Sequence, residues 1–466
     1  MRAESGPYPV AEIVQACRGT LLAGDLQIAF RAISTDSRDI KDNDLFVPLK
    51  GTNFDGHEFL FPALEAGARG SLVDREVNRE IYKDLSNHVL IQVQDTLLAL
   101  SDLASAHRKK CPVPLIAITG SSGKTTVKEM IAAVLRRSHH PLVSQGNFNN
   151  MIGLPMTILN LGHHHSVAVV EAGINKSGEM DFLAQAASPN VAVITTIGPV
   201  HLEGLGSIEK VAREKFKLVD ALPPNGTAII PARNPYLEPL SRKTSCKLIT
   251  FGLEYGDFRA DNIRYGVETS FEVKSPVGKQ EIGLRIPGQH NIANALAAAA
   301  ACSAAGVPLS DVALALSRFS PPSWRMEILS LGGKRVLIRD CYNANPQSVS
   351  AALEVLARLG TGAKTLAILA DMAELGDQSA PLHEEMGKEA ARLRIDRLVF
   401  IGNYGRFFAD GYVSAGGDAK SVTPAPDKES AWNIIGPEVE NFEIVLVKGS
   451  RLMKMETIAD RILREN

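Results

Sequence analysis

The sequence predicts an α/β protein built as three successive domains, and three observations carry that expectation. The chain has 466 residues, too long for one ordinary hydrophobic core. Short apolar runs alternate with stretches of helical spacing from about Asp95 onward. The pattern changes character near residue 94 and again at the Pro321-Pro322 pair, which divides the chain into 1–94, 95–319 and 320–466.

In the first zone, Leu45–Leu49 reads as a strand, Gly51–Gly56 as a turn and Phe59–Ala68 as a helix. In the second, Val113–Ile118 is a short apolar run that ends at a glycine turn. Thr125–Arg137 follows it with Val127, Met130, Ile131, Val134 and Leu135 at helical spacing. Val167–Val170, Val191–Ile197 and Thr227–Ile230 are further strands. The third zone repeats strand and helix with little interruption. Val336–Ile338, Thr365–Leu369, Leu398–Ile401 and Ile444–Val447 read as buried parallel strands, and Val349–Leu359, His383–Leu393 and Arg451–Leu463 as helices. That is a doubly wound layout, whose ligands sit at the carboxyl ends of the strands, where Asp340, Asp371 and Lys448 fall.

Composition excludes several classes. Hydrophobic residues make up 45% and charged residues 22%, a globular profile. Lys+Arg at 50 nearly balances Asp+Glu at 52, so no nucleic-acid partner is expected. No apolar run reaches the length of a membrane span, and the opening residues MRAESGPYPVAEI lack the order of a secretory signal. Cys17, Cys111, Cys246, Cys302 and Cys341 are scattered without a CxxC pair, which reads as free thiols in a reducing cytosol. A soluble cytoplasmic protein with no membrane insertion, acting as a monomer, is the expectation. His139-His140 and His163–His165 lie in polar stretches without a second ligand set and read as solvated loop residues.

The run LIAITGSSGKTT ending at Thr126 gives strand, glycine turn and helix. Gly120 and Gly123 let the backbone wrap phosphates, with Ser121 and Ser122 between them, and the helix start supplies N–H donors and partial positive charge. Lys124 would reach the terminal phosphates, and Thr125 or Thr126 would ligate Mg²⁺. Ile118 stands where the longer GxxxxGK[ST] loop has glycine, so this is a shortened form. ATP is the expected ligand.

Phosphoryl transfer needs a divalent cation to neutralise developing charge, so carboxylates belong at neighbouring strand ends. Glu171 closes the run SVAVVE and is either buried and paired or simply exposed where the strand exits. His201 follows the next strand at the same rim. On the helix Ser207–Leu222, Lys215 falls within the apolar stripe of Ile208, Val211, Ala212, Val219 and Leu222, while Glu209, Lys210, Arg213, Glu214 and Lys217 take other faces. An inward lysine either snorkels outward along its stem or is modified and functional.

The runs ITGSSGKTTVKEM, GNFNNMIGLPMT, EAGINKSGEM, GPVHLEGLGSIEKVAREK, PGQHNIANALAAA, RDCYNANPQS, ADMAELGDQSAPLH and LVKGSR, in this order over nearly the whole chain, resemble the Mur ligase family. The YNANP, DMAELG and KGSR runs are similar to the branch that joins D-alanyl-D-alanine to UDP-N-acetylmuramoyl-tripeptide through an acyl phosphate. The resemblance implies a small N-terminal α/β domain for the UDP-sugar, a central P-loop ATPase-type domain and a C-terminal dinucleotide-fold-like domain. It also implies residue roles. Lys215 corresponds to a lysine carried as a carbamate, and Glu171 and His201 to Mg²⁺ ligands. Asn291 and Asn294 correspond to adenine contacts, Asp340 to a ribose contact, and Arg325 to an arginine reaching the terminal phosphate. Thr35, Ser37, Thr52, Asn53 and Phe54 correspond to the uridine-binding turns. Lys124, Lys215 and Arg325 would then carry the catalysis, with ATP and Mg²⁺ as cofactors.

This chain departs from the family pattern at three positions. Ala370 stands where glycine is usual, Met151 where an acidic or amide residue is frequent, and Phe216 where a small residue is usual. A sister ligase that adds a single amino acid, including a folylpolyglutamate synthetase-like enzyme, would share the phosphate loop and lysine but lack the YNANP and KGSR arrangement. A non-catalytic binding module would not need Lys124, Glu171, His201 and Lys215 together.

Overall fold

The computed structural model describes residues 1–51, 54–75 and 88–465. Three large sheets succeed one another along the chain, and Tyr8–Pro9 pairs with Ala29–Phe30 as a separate two-stranded ribbon. The first has six strands in the order Arg2–Ala3, Ala32–Ser34, Asp44–Phe46, Ala68–Val73, Val89–Gln92 and Thr20–Ala23. Fully buried Asp44 is held there by the Arg2 guanidinium at 2.7 and 2.9 Å, so its charge is paired rather than stranded in the core. The expected helix Phe59–Ala68 is shorter than predicted. A 3₁₀ turn at Gly56–Phe59 leads into Leu60–Glu65, and Ala68 already begins the next strand. Gly67, at φ +114°, ends the helix in a conformation that a β-carbon disfavours.

Asp95 caps the helix Thr96–Lys110 by accepting from the N–H groups of Leu97 and Leu98 at 2.7 and 2.9 Å. This helix packs against Val10–Cys17 on one side and against Gly153–Leu159 and Glu179–Ala187 on the other, so it joins the first sheet to the second.

The second sheet has nine strands. Pro141–Val143, Val167–Glu171, Leu115–Thr119, Val191–Ile194, Thr227–Pro231 and Lys247–Gly252 run parallel, and Phe258–Arg264, Thr269–Ser275 and Gly278–Leu284 close it as a meander. Leu115–Thr119 lies between Val167–Glu171 and Val191–Ile194 and is buried at every residue. Its side chains alternate between two cores: Leu115 and Ala117 face one, Ile116 and Ile118 the other. The carboxyl ends of these three strands therefore open on one rim.

The third sheet runs Glu327–Ser330, Val336–Asp340, Ile444–Lys448, Thr365–Ala370, Arg397–Ile401 and Val422–Ala425, parallel except for its first strand. Ala367 and Leu369 face one helix layer, and Leu366, Ile368 and Ala370 the other. The last strand in sequence inserts between Val336–Asp340 and Thr365–Ala370, which sets Lys448 beside Asp340 in register. Among the described residues, no helix is long and apolar enough to cross a membrane.

Candidate active site

Gly120 follows the central strand at φ +148°, and a β-carbon there would lie 1.9 Å from the Thr195 hydroxyl. Only glycine lets the loop lie against the neighbouring strand's exit. The loop is pinned there by Ser121 N–H to the Thr196 carbonyl at 2.8 Å and Ser122 N–H to Thr196 Oγ1 at 2.9 Å. Gly198 N–H donates to Ser121 Oγ at 3.0 Å. Gly123, at φ +82°, starts the helix Lys124–Leu135 and packs under Asn294, whose Oδ1 would meet a β-carbon at 2.4 Å. With glycine as the cap, the first-turn N–H groups face the cleft and make an anion site.

Lys124 folds back to donate to the Gly120 carbonyl at 2.9 Å. Burial lowers its pKa, opposed by Glu171 and reinforced by Arg325. Thr125 Oγ1 donates to Glu171 Oε2 at 2.7 Å, and Asn149 Nδ2 to Glu171 Oε1 at 2.8 Å. Glu171 is only 2% exposed, so of its two sequence alternatives the structure takes the buried, paired one. Lys128, one turn past Lys124, is fully buried and donates to the Ser144 carbonyl at 2.6 Å. Ser144 Oγ in turn accepts from the Glu171 N–H at 3.1 Å.

Ser207 caps the helix Ile208–Asp220 by accepting from the Lys210 N–H. Lys215 on this helix is 0% exposed, and its Nζ has no hydrogen-bond partner, so it does not snorkel to solvent. Burial drives its pKa well below the ordinary lysine value, and nearby Lys124 adds to the depression against the pull of Glu171 and Glu214. Burial thereby shifts the balance from the ammonium toward the free amine. Glu214 corrects the helical-face assignment, because it is buried too. It accepts from the N–H groups of Gly178 and Met180 at 2.7 and 3.3 Å and so caps the helix Glu179–Ala187. A buried glutamate on a polar face carries no periodic signal; only the neighbouring helix start explains it.

His201, at φ +51°, sits at the rim with Nδ1 against Glu374 of the third sheet's domain. Asn291 donates to the Pro287 carbonyl at 2.7 Å, and Asn294 donates to Asn291 Oδ1 at 3.2 Å, which fixes both amides near the phosphate loop. On the facing wall, Lys448 donates to Asp340 Oδ2 at 2.6 Å, and Met326 N–H to Asp340 Oδ1 at 3.1 Å. The Arg325 guanidinium lies 4.0 Å from the centre of the Tyr342 ring.

These groups line one cleft of 680 Å³ between the second and third sheets. Ser121 to Thr126, Glu171, His201, Asn291, Asn294, Arg325 and Asp340 all border it. Lys215 lies behind the wall, and Thr35, Ser37 and Phe54 do not border the cleft. Thr35 and Ser37 are half-buried just past the end of the strand Ala32–Ser34 in the first sheet. Between them the Asp36 carboxyl is held down at about 2 by Arg38. Phe54 is 60% exposed, edge-on to Phe59. Thr52 and Asn53 lie outside the described residues. The sequence reading missed Asn149, Lys128, Asn345, Gln347 and Glu374. Each lies in a run that carries the family resemblance, but none was given a role; Lys128 is also one helical turn from Lys124 and so shares its face.

Three family models match the chain: Mur ligase family, catalytic domain, over 29–108; Mur ligase middle domain, over 118–302; and Mur ligase, glutamate ligase domain, over 324–451. The UDP-N-acetylmuramoyl-tripeptide–D-alanyl-D-alanine ligase of Bacillus subtilis is 35% identical over 97% of this chain and 98% of its own length. A crystal structure of MurF from Acinetobacter baumannii superposes with a TM-score of 0.91, at 31% identity and covering 99% and 100% of the two chains. A MurF ligase from Thermotoga maritima, solved with ADP, superposes with a TM-score of 0.82 at 25% identity, covering 93% and 97%.

Proposed function

The chain belongs to the Mur ligase family, and we propose that it is the member that joins D-alanyl-D-alanine to UDP-N-acetylmuramoyl-tripeptide with ATP. The single observation that carries the chemistry is the placement of unpartnered, buried Lys215 close enough to Lys124 and Glu171 for their charges to move its pKa. The product is the pentapeptide precursor of bacterial peptidoglycan. A reaction that consumes ATP belongs to the cytoplasm. One chain supplies both walls of the cleft, in keeping with a monomer.

In the proposed reaction, the terminal carboxylate of the tripeptide takes the γ-phosphoryl group and ADP leaves. The amine of D-alanyl-D-alanine then attacks the activated carbonyl. The new C–N bond forms as the C–O bond to phosphate breaks, and the amine loses its proton. The protein's part is positioning and charge. The phosphate-loop N–H groups hold the phosphates, and Lys124 and Arg325 spread the charge of the group in flight. Asn291 and Asn294 are assigned to the base and Asp340 to the ribose. Thr35, Ser37, Thr52, Asn53 and Phe54 are assigned to the UDP end.

The donor set suits Mg²⁺: hard oxygens from Thr125 or Thr126 and Glu171, an imidazole from His201, and a lysine amine buried with nothing to bond. A carbamate on Lys215 would turn that amine into an anionic oxygen ligand. The metal, when bound, neutralises the phosphate oxygens. Closure of the third domain over the cleft keeps water from the acyl phosphate.

ADP release is the test. Release that requires both the UDP-linked tripeptide and D-alanyl-D-alanine supports this assignment, and release with glutamate or a free diamino acid in place of the dipeptide sinks it. The third residue of the tripeptide, lysine or diaminopimelate, is read by assaying the two forms side by side. Half-buried Met151 and buried Ala370, which would stand 2.9 Å from a β-carbon on Gly449, are the departures that bear on that fit.

A further inference from the structure

His201 and Glu374 come from different domains, yet both adopt the left-handed backbone conformation, at φ +51° and +64°. Neither is glycine, so each carries a conformational cost that the surrounding structure must sustain. Their side chains meet, Nδ1 of the imidazole against Oε2 of the carboxylate. Two residues past His201 the backbone also reaches this residue, since Glu203 N–H donates to the Glu374 carbonyl at 3.4 Å. The His201 side chain is 20% exposed and borders the same cleft as Thr125 and Glu171. The Glu374 side chain is 52% exposed and borders nothing there. The carboxylate therefore approaches the imidazole from outside the site.

We infer that Glu374 is a positioning residue for His201. By accepting from Nδ1–H it fixes the tautomer that leaves the Nε2 lone pair for a divalent cation, and so makes His201 a competent ligand only when the third domain is docked. A carboxylate behind a ligating histidine fixes ring orientation and raises ligand basicity, and its loss commonly costs ten-fold or more in metal affinity. Here that carboxylate is borne by a different domain from the histidine it supports. Metal binding and domain docking would then reinforce one another, because each favours the same arrangement.

The inference rests on the metal-dependent ligase reading, and the test separates the two. Mn²⁺ is titrated into the full-length chain with saturating ADP and followed by electron paramagnetic resonance. His201→Ala and Glu374→Ala are each expected to weaken Mn²⁺ binding about ten-fold, and the double variant to be no weaker than His201→Ala alone. Glu203→Ala, which removes an exposed carboxylate two residues from His201, is expected to bind as the unaltered chain does. Weakening by His201→Ala without weakening by Glu374→Ala overturns this inference and leaves the metal reading standing. Indifference of both sinks both. In metal-free chain labelled with [¹⁵N]histidine, the His201 signal is expected in the Nδ1–H form and to lose that preference in Glu374→Ala. An unchanged tautomer overturns the inference, and the remaining histidine signals report whether the variant has folded.

Discussion

Gln347, second residue of the helix Pro346–Leu359, carries its amide into the space that a β-carbon on Gly198 would occupy. That β-carbon would lie 2.2 to 2.4 Å from the amide atoms, and the amide donates to the Ile197 carbonyl at 2.9 Å. Asn345, which caps the same helix, reaches the Ser121 carbonyl at 3.5 Å. The third domain thus docks the start of one helix directly onto the phosphate loop and the strand exit beside it.

Gly198 is not in a left-handed conformation, so Gly198→Ala changes contact rather than backbone strain. It is expected to displace Gln347 and lower kcat/KM about five-fold, the equivalent of one hydrogen bond of roughly 1 kcal/mol. In a Gln347→Ala background the same substitution should add nothing, because the group it strikes is gone. A full additive loss in the double variant would show that Gly198 acts elsewhere.

Lys128→Met keeps the length of the aliphatic stem but removes the donor to Ser144 and the cation beside Glu129. The Ser144 carbonyl then loses its buried partner, at a cost of about 1–3 kcal/mol. Ser144 and Asn149 both hold Glu171, so the damage should extend past stability. A lower Tm together with a higher KM for ATP is expected. A lower Tm with unchanged KM would confine Lys128 to the core.

The strand–loop–helix around Gly120 and the parallel strands of the third domain were legible because apolar periodicity and glycine placement act within one segment. Lys215 was legible for the same reason, as a charge inside an apolar stripe. Glu214 and Glu374 were not, since their partners are backbone and side-chain groups far along the chain. The edge strand Glu327–Ser330 and the helix Gly405–Ser414 also escaped. The first is half-exposed and short, and the second contains two glycines, Gly405 and Gly411. Gly411 is there because the helix Ser379–Arg392 crosses it, and a β-carbon would lie 2.0 Å from the Glu384 carbonyl oxygen. A packing demand overrode helix propensity at that residue.

His383 gives the third domain an acid-sensitive point. It is fully buried, accepts from the Met372 N–H at 2.9 Å through Nε2, and uses Nδ1 on the Ser379 carbonyl at 2.6 Å. Burial lowers its pKa, opposed by the Ser379 carbonyl and Asp371. In the unfolded chain it protonates near pH 6.5, so below that pH the unfolded state binds the extra proton and folding loses free energy. The contribution is complete above about pH 6.5 and declines as the pH falls below it. Guanidinium unfolding at pH 7.5 and 5.5 is expected to show a smaller loss for His383→Gln than for the unaltered chain, since glutamine can accept from Met372 without titrating. Equal losses would assign the acid sensitivity to other groups.

Lys215 and Lys210 lie on the same helix, one 0% exposed and the other facing solvent. Lys210 contributes only its backbone N–H to the cap, which alanine retains. Lys215→Ala is therefore expected to abolish most ligase activity and Lys210→Ala to leave it intact. A carbamate on Lys215 would add a condition that the amine alone would not impose. An unprotonated amine adds CO₂ reversibly, and burial shifts Lys215 toward that form, so depletion of bicarbonate should lower activity and its return should restore it. Lys210→Ala should respond to depletion as the unaltered chain does, and whatever activity Lys215→Ala retains should not respond. Equal activity of the two variants would count against a modified inward lysine. Indifference of the unaltered chain to bicarbonate would leave Lys215 as a bare amine and take the carbamate oxygen out of the metal's proposed ligand set.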